Sequence, residues 1–284
     1  MTTRGGYFAK PEPQFSVIVP THNPNRWLSE LVRGCLADAQ VCQVVLSDDG
    51  SRQQEWLDYC DGMSARVKVV RSHVNQGAAA ARARGAAVAA GQYLSFIDQD
   101  DLVTVDHFRV ASKLHKRTEL VISSGWRLCG HWLYPLYAQK QRDLTFDRLS
   151  KICWIRSPGQ VSIARDTYFR AGGFDPACPA GVDDYELWLK LFRYSVPRLW
   201  SGVPSFVWRE HGDNSSSGLP MGRLADQLRH TYLNHDEVRR PPTMPGRAAV
   251  GAALRRAKRV RSERLQFTSE GWQLVGHGRT PSAA

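Results

Sequence analysis

Between residues 14 and 124, short apolar runs alternate with stretches whose apolar side chains recur every three or four positions. FSVIVP, ending at Pro20, reads as a first buried strand. Leu28, Leu31, Val32, Cys35 and Leu36 then fall on one face of a helix. QVVLS predicts a second strand, and Trp56, Leu57, Cys60 and Met63 mark the helix after it. VKVVR predicts a third strand. The alanine-rich segment beyond Gly77 predicts a helix whose small side chains suit close packing on a sheet. YLSFI predicts a fourth strand and LVISS, at 120–124, another. Strands and helices in alternation predict a mostly parallel sheet covered by helices.

Beyond residue 125 the periodicity weakens. Trp126, Trp132, Tyr134, Tyr137 and Trp154 lie among basic residues and turn formers. Aromatics at that density belong to a core more often than to a sugar-stacking surface. A helix returns in DDYELWLKLFRYS, with Tyr185, Trp188, Leu189 and Phe192 on one side, and HGDNSSSG reads as a polar loop. RRPPTMPGR then reads as a linker into a basic tail, in which Val250, Leu254 and Ala257 line one helical face. A solvated terminal helix is the plain reading of that tail. Attraction to an anionic lipid surface is the functional one.

Composition narrows the picture. The 284 residues suffice for a sizeable core, and 42% hydrophobic against 23% charged residues excludes global disorder. No run approaches the roughly 18 apolar residues of a membrane span; Ala78 to Ala90 is interrupted by Arg82, Arg84 and Gly85. MTTRGGYFAKPEPQ has no apolar centre, so a secretory signal is not expected. The six cysteines form no C-x-x-C pair, which argues against zinc and for reduced thiols in a cytoplasmic protein. The net charge of +11 suits nucleic acid, anionic lipid or a polyphosphate ligand, but the tail concentrates much of it.

Candidate chemistry gathers where strands end. In open parallel sheets, ligands bind beyond the carboxyl ends of the strands. Three strands end there in polar clusters, VIVPTHN, VVLSDDGS and SFIDQDD. Any one alone is an ordinary turn. Together they place Thr21, Asn23, Asp48, Asp49, Asp98 and Asp100 around one crevice. Neither G-x-G-x-x-G nor a P-loop is present, and the glycine and closing glutamate of an EF-hand are missing. A carboxylate-rich crevice repels phosphate unless a cation intervenes. Asp98, Gln99 and Asp100 offer the hard oxygens that suit Mg²⁺ or Mn²⁺.

SVIVPTHN, VVLSDDGS, NQGAAAARARG, YLSFIDQDD and GGFDP…GVDDYELWLKL, in that order over residues 14 to 215, resemble a family 2 glycosyltransferase of the GT-A fold. The resemblance implies an α/β protein with a single Rossmann-like, mostly parallel sheet flanked by helices. Residues 1–13 would be an N-terminal extension and 14–102 the nucleotide-sugar-binding half. Residues 103–215 would be the acceptor-binding, catalytic half, and 216–284 a helical, basic extension. The implied activity is metal-dependent inverting transfer from a UDP- or dTDP-linked sugar, with Mn²⁺ or Mg²⁺ as cofactor. The acceptor hydroxyl would belong to a saccharide, a lipid-linked group or a small molecule. No nucleic acid is expected as partner, and the tail would touch the inner face of the membrane.

Carried over residue by residue, Pro20, Thr21, His22 and Asn23 would close the first strand against the nucleoside. Asp49 would accept from the base, with Asp48 the alternative. Gly77 would let the backbone approach the donor, and Arg82 would reach the ribose or diphosphate. Ala83 stands where the family often has asparagine. Asp98 and Gln99 would face the ribose or sugar and Asp100 would ligate the metal, with His211 a second ligand to metal or diphosphate. Asp184 would be the base and Asp183 its neighbour, although from position alone both read equally well as helix caps. The competing classes are a basic nucleic-acid-binding module and a catalytically silent nucleotide-binding protein.

Overall fold

The computed structural model of the chain describes residues 14–136, 140–212, 219–233, 260–261 and 264–274. Tyr137 and the apolar face of Val250, Leu254 and Ala257 lie outside them.

The first strand, β1 (Phe15–Thr21), is buried on both faces, with Phe15, Val17, Ile18 and Val19 all sealed from solvent. Such a strand belongs at the centre of a covered sheet. It runs through Pro20 to Thr21, one residue further than the sequence suggests. Ile18 O accepts from Ile97 N, so the backbone of Pro20, two residues on, faces the same side. Pairing on that side has ended at Ile18, and the missing N–H of proline costs no ladder bond.

After β1 come α1 (Arg26–Leu36), β2 (Val41–Asp49), α2 (Glu55–Asp61), β3 (Val67–Ser72), α3 (Ala78–Ala87) and β4 (Tyr93–Phe96). Asn25 caps α1, its Oδ1 accepting from Trp27 N at 2.8 Å, and Leu28, Leu31, Val32 and Cys35 form the buried face. Helix α3 lies close on β1 and β2 because Gly85 faces them; a Cβ there would sit 2.5 Å from Ile18 Cγ2.

The second half contributes β5 (Leu102–Val103), α4 (Asp106–His115), β6 (Leu120–Cys129), β7 (Trp132–Pro135), α5 (Phe146–Lys151), β8 (Val161–Ala164), α6 (Arg165–Arg170), α7 (Asp183–Arg193), β9 (Arg198–Glu210) and α8 (Met221–Tyr232). Three short strands follow, β10 (Val260–Arg261), β11 (Leu265–Thr268) and β12 (Gly271–Leu274).

The main sheet runs β10-β7-β6-β8-β4-β1-β2-β3, with β9 alongside β6 and β5. From β3 to β4 neighbours are parallel; β8 joins β4 antiparallel, and the sheet is mixed from there on. Both halves therefore share one sheet. Because β2 and β4 flank β1 on opposite sides, the strand order reverses at β1. That switch opens a crevice at the carboxyl ends of β1 and β4.

Two buried clusters cover the two faces of the sheet. One gathers Ile18, Leu94, Phe96, Tyr168, Trp188 and Phe192, and the other Phe15, Val17, Val19, Leu28, Leu31 and Phe108. Trp126 and Trp154 are buried, as the core reading of the aromatics expects.

The helical expectation for 216–284 holds in α8 and fails in 264–274. There β11 and β12 form an antiparallel hairpin that packs back on α1. Trp272 Nε1 donates to Glu30 O at 3.1 Å, and Trp272 O accepts from Val105 N at 3.0 Å. Among the described residues, no helix is long and apolar enough to cross a membrane.

Candidate active site

Past the last β1–β4 pairing the two chain ends diverge and leave a cavity of about 1260 Å³. Pro20, Thr21, His22 and Asn23 line it, with Asp49, Gly77, Arg82, Asp98, Gln99, Asp100, Asp184 and His211. Of the residues expected in the site, Asp48 alone is not on this wall. Its Oδ1 accepts from Ser51 N at 3.2 Å within the turn, and it borders a second cavity beside His22 and Asn23.

The rim at β1 is held by short polar links. Asn23 adopts φ 44°, a left-handed conformation that asparagine tolerates, and its Oδ1 accepts from Arg52 N at 2.8 Å. The carbonyl of Asp49 accepts from His22 Nδ1 at 3.0 Å, and Asn23 Nδ2 approaches Nε2 at 3.1 Å, which fixes the Nδ1–H tautomer. Gln99, expected among the nucleotide-sugar-binding residues, lines the cleft with its amide already engaged. Its Oε1 accepts from His22 N at 3.0 Å and its Nε2 donates to His22 O at 3.2 Å, so its amide splints the ends of β1 and β4.

Asp49 organises the turn into α3. Its Oδ2 accepts from Gln76 N and Gly77 N at 2.9 and 2.7 Å, and its Oδ1 from Arg84 at 3.1 Å. Gly77 has φ 91°, and no atom lies within 4 Å of where its Cβ would stand, so the backbone is bare toward the cleft.

Arg82 does not reach outward. It is buried, with one amino group on Asp98 at 2.6 Å and the other on Asp183. Burial alone lowers its pKa, yet the two carboxylates outweigh burial and leave it raised. Asp183 therefore does not cap α7: the cap position is Val182, with no side-chain bond, and Asp183 serves as the counter-ion of Arg82.

Asp184, the next residue, faces the cleft. Burial pushes its pKa up to about 7, the Asp183 carboxylate pushes the same way, and Arg82 opposes both. Two adjacent carboxylates thus have different surroundings: Asp183 is paired with a buried guanidinium, and Asp184 is poised to exchange a proton near neutrality.

At the other end of the wall, Asp100 Oδ2 lies 2.5 Å from His211 Nε2. Burial and then Asp98 raise the pKa of Asp100, while His211 lowers it. Asp101 turns away, accepting from Arg209 N at 2.9 Å and Ser157 Oγ at 3.2 Å, and burial lifts its pKa well above the usual carboxylate range. The three carboxylates that close β4 therefore divide: Asp98 and Asp100 line the cleft, and Asp101 anchors the loop. Among the described residues, no three His, Cys, Asp or Glu side chains gather as a metal cage. A carboxylate oxygen beside an imidazole still fits a hard cation that takes its remaining ligands from a phosphate and water.

Arg209, which the sequence reading did not single out, holds this loop. Its Nε donates to Asp100 O at 2.8 Å, its NH2 pairs with Glu30 at 2.9 Å, and its guanidinium lies 4.8 Å above the Trp27 ring. Trp27 also packs 4.9 Å from the His211 ring. A sequence signal existed: Arg209 lies in the second-last position of β9 and two residues before His211, at the extended spacing that puts side chains on one side.

Residues 16–171 match the sequence model of glycosyl transferase family 2. The chain belongs to this family. Among similar proteins, an uncharacterized glycosyltransferase of Haemophilus influenzae is 32% identical over 116 residues, 40% of this chain and 46% of the relative. The glycosyltransferase GlyG of Streptococcus pneumoniae is 36% identical over 92 residues, covering 31% of this chain and 30% of GlyG. The chain thus spans less than half the length of these curated relatives. Among solved structures, residues 1–349 of S. aureus TarS in complex with UDP-GlcNAc superpose with a TM-score of 0.60 at 17% identity, over 76% of this chain and 65% of TarS. At that identity the likeness is one of fold, and the fold is GT-A.

Proposed function

We propose that this family 2 chain is a metal-dependent, inverting glycosyltransferase that moves a sugar from a UDP- or dTDP-linked donor to an acceptor hydroxyl. The observation that carries the reading is Asp184, a carboxyl lifted to about 7 on the wall of the cleft that Asp100 and His211 also line. A general base works best with a pKa near the operating pH.

The donor would lie along the rim from β1 to β4. TarS, of like fold, was solved with UDP-GlcNAc and with UDP. Asp49 supports a uracil or thymine base. Its Oδ1 accepts one bond, from Arg84, and retains a second acceptor site for an imide N–H. Arg82, spent on Asp98 and Asp183, would orient these carboxylates and leave the diphosphate to other groups.

Asp100 and His211 would hold Mn²⁺ or Mg²⁺, and a bound cation supplies stabilisation for the charge gathering on the departing diphosphate. In the transfer itself the acceptor oxygen bonds to the anomeric carbon as the bond from that carbon to the diphosphate oxygen breaks. The hydroxyl proton passes to Asp184 Oδ. A single displacement of this kind inverts the anomeric centre.

Asp184→Asn keeps the shape of the site and removes the proton acceptor. Transfer is expected to fall by about 10²-fold or more, with UDP-sugar binding retained. Unchanged transfer would remove Asp184 from the role.

A further inference from the structure

The cleft is acidic on the side of Asp98, Asp100, Asp183 and Asp184. The part of its lining contributed by α5, α8 and the segment after α5 is basic. Arg148, Lys151, Arg156 and Arg229 line the same cavity, from α5, the segment after it and α8. Helices α5 and α8 both pack on α7, the helix that carries Asp184. Tyr185, one residue on, donates to Leu149 O at 2.9 Å and lies 3.4 Å from Arg229 Nε.

Three of these cations have carboxylate partners. Arg148 pairs with Asp143 and Lys151 with Asp147, each at 2.7 Å, and Arg229 pairs with Asp226. None of those three carboxylates lines the cavity, so each pair turns its positive end inward. Asp143, Asp147 and Asp226 belong to short-range pairs on partly exposed helical surface, which hold a cation only weakly. Arg156 is exposed, and its guanidinium has no partner among the described residues. The wall also includes Trp154 and Tyr185, which give it an apolar floor.

Arg148 and Lys151 lie on α5 and Arg229 on α8, the two helices packed on the helix that carries Asp184, and Arg156 follows α5. Half-buried Cys153 lines the same cavity; desolvation raises its thiol pKa, Asp184 raises it further, and Arg156 and Arg229 lower it. Asp100 and His211, by contrast, belong to the ends of β4 and β9. A hydroxyl that gives its proton to Asp184 approaches from the basic wall.

Resting on the donor reading above, we propose that the acceptor is anionic: it carries a phosphate ester or a carboxylate near the reacting hydroxyl, gripped by Arg156, Lys151, Arg148 and Arg229. Arginine forks suit both oxyanions, and charge-assisted bonds to them are the strong ones. A neutral sugar would give Arg156, whose guanidinium has no partner among the described residues, no anion to meet.

The test is a set of matched titrations on the full chain saturated with UDP. Glycerol is compared with glycerol 3-phosphate, and methyl glucoside with methyl glucuronide, by calorimetry or ligand-observed NMR. At least one anionic probe is expected to bind about tenfold or more tighter than its neutral counterpart, as one charge-assisted contact allows. Preference for glycerol 3-phosphate assigns a phosphate ester, and preference for the glucuronide assigns a carboxylate. Arg156→Ala with Lys151→Ala is expected to bring the ratio close to one, and Arg156→Lys to retain most of it. Equal binding of charged and neutral probes overturns the proposal. So does a preference that survives the double variant. Displacement of UDP by glycerol 3-phosphate also overturns it, because the cations would then belong to the diphosphate. UDP binding to the unaltered chain is read first. If it fails, the donor reading falls, and the same titrations without UDP still decide the anion preference.

Discussion

At the residue scale, the cleft turns on two adjacent aspartates with different surroundings. Asp183 meets a buried guanidinium and Asp184 does not. The sequence shows the pair but not the arginine, which lies 101 positions away and joins it through the fold. The sign of the electrostatics gives a test. Asp183 raises the pKa of Asp184, so Asp183→Asn is expected to lower it, as read by ¹³C NMR titration of the Asp184 carboxyl. An unmoved or raised value contradicts the pairing described here. Stability follows the same logic. A carboxyl whose folded pKa is raised from 3.8 to about 7 carries no penalty below its unfolded pKa. The penalty grows between about pH 4 and pH 7 and is complete above that. Asp184→Asn should therefore raise the melting temperature more at pH 8 than at pH 5, measured by calorimetry.

At the element scale, most of the parallel half was readable in the sequence. Its strands are apolar runs and its helices have clean faces, because burial on both sides leaves strong patterns. What stayed hidden depends on partners distant in sequence. The C-terminal hairpin is two four-residue strands, too short to declare a period. Its docking depends on Gly34, where a Cβ would come within 2.9 Å of the Trp272 ring. Gln99 likewise reads as a ligand beside two aspartates, and its bonds to the His22 backbone were not legible there. Two substitutions probe how elements set the site. Gly85→Ala pushes α3 off β1 and is expected to cost about 1–3 kcal/mol in chemical denaturation, as overpacking does. A cost near zero would mean that α3 does not need that close approach. Arg209→Lys keeps the charge but loses the planar fork that joins Asp100 O to Glu30. It is expected to weaken cation-dependent UDP binding while secondary structure by circular dichroism stays intact. Full cation-dependent binding in that variant would show that the loop holds its shape without the fork.

At the scale of the whole molecule, the reversal of strand order at β1 explains why carboxylates from separate segments converge. Asp49 ends β2, Asp98 and Asp100 follow β4, and these two strands flank β1 with their carboxyl ends at one edge, while the chain leaving β9 sets His211 against Asp100. The three strand-end clusters were legible in the sequence because strand ends in a parallel sheet share an edge. The basic wall was not, because α5 and α8 are separated by some seventy positions in the chain and meet only by packing on α7. The central claim is that this convergence holds a nucleoside diphosphate through a cation. Calorimetric titration of the chain with UDP, in Mn²⁺ and in EDTA and repeated with Asp100→Ala, tests it most directly. The account predicts binding in Mn²⁺ that weakens about tenfold or more on chelation and to a similar degree in the variant. Equal affinity in Mn²⁺ and EDTA, or no binding of UDP under either condition, would contradict it.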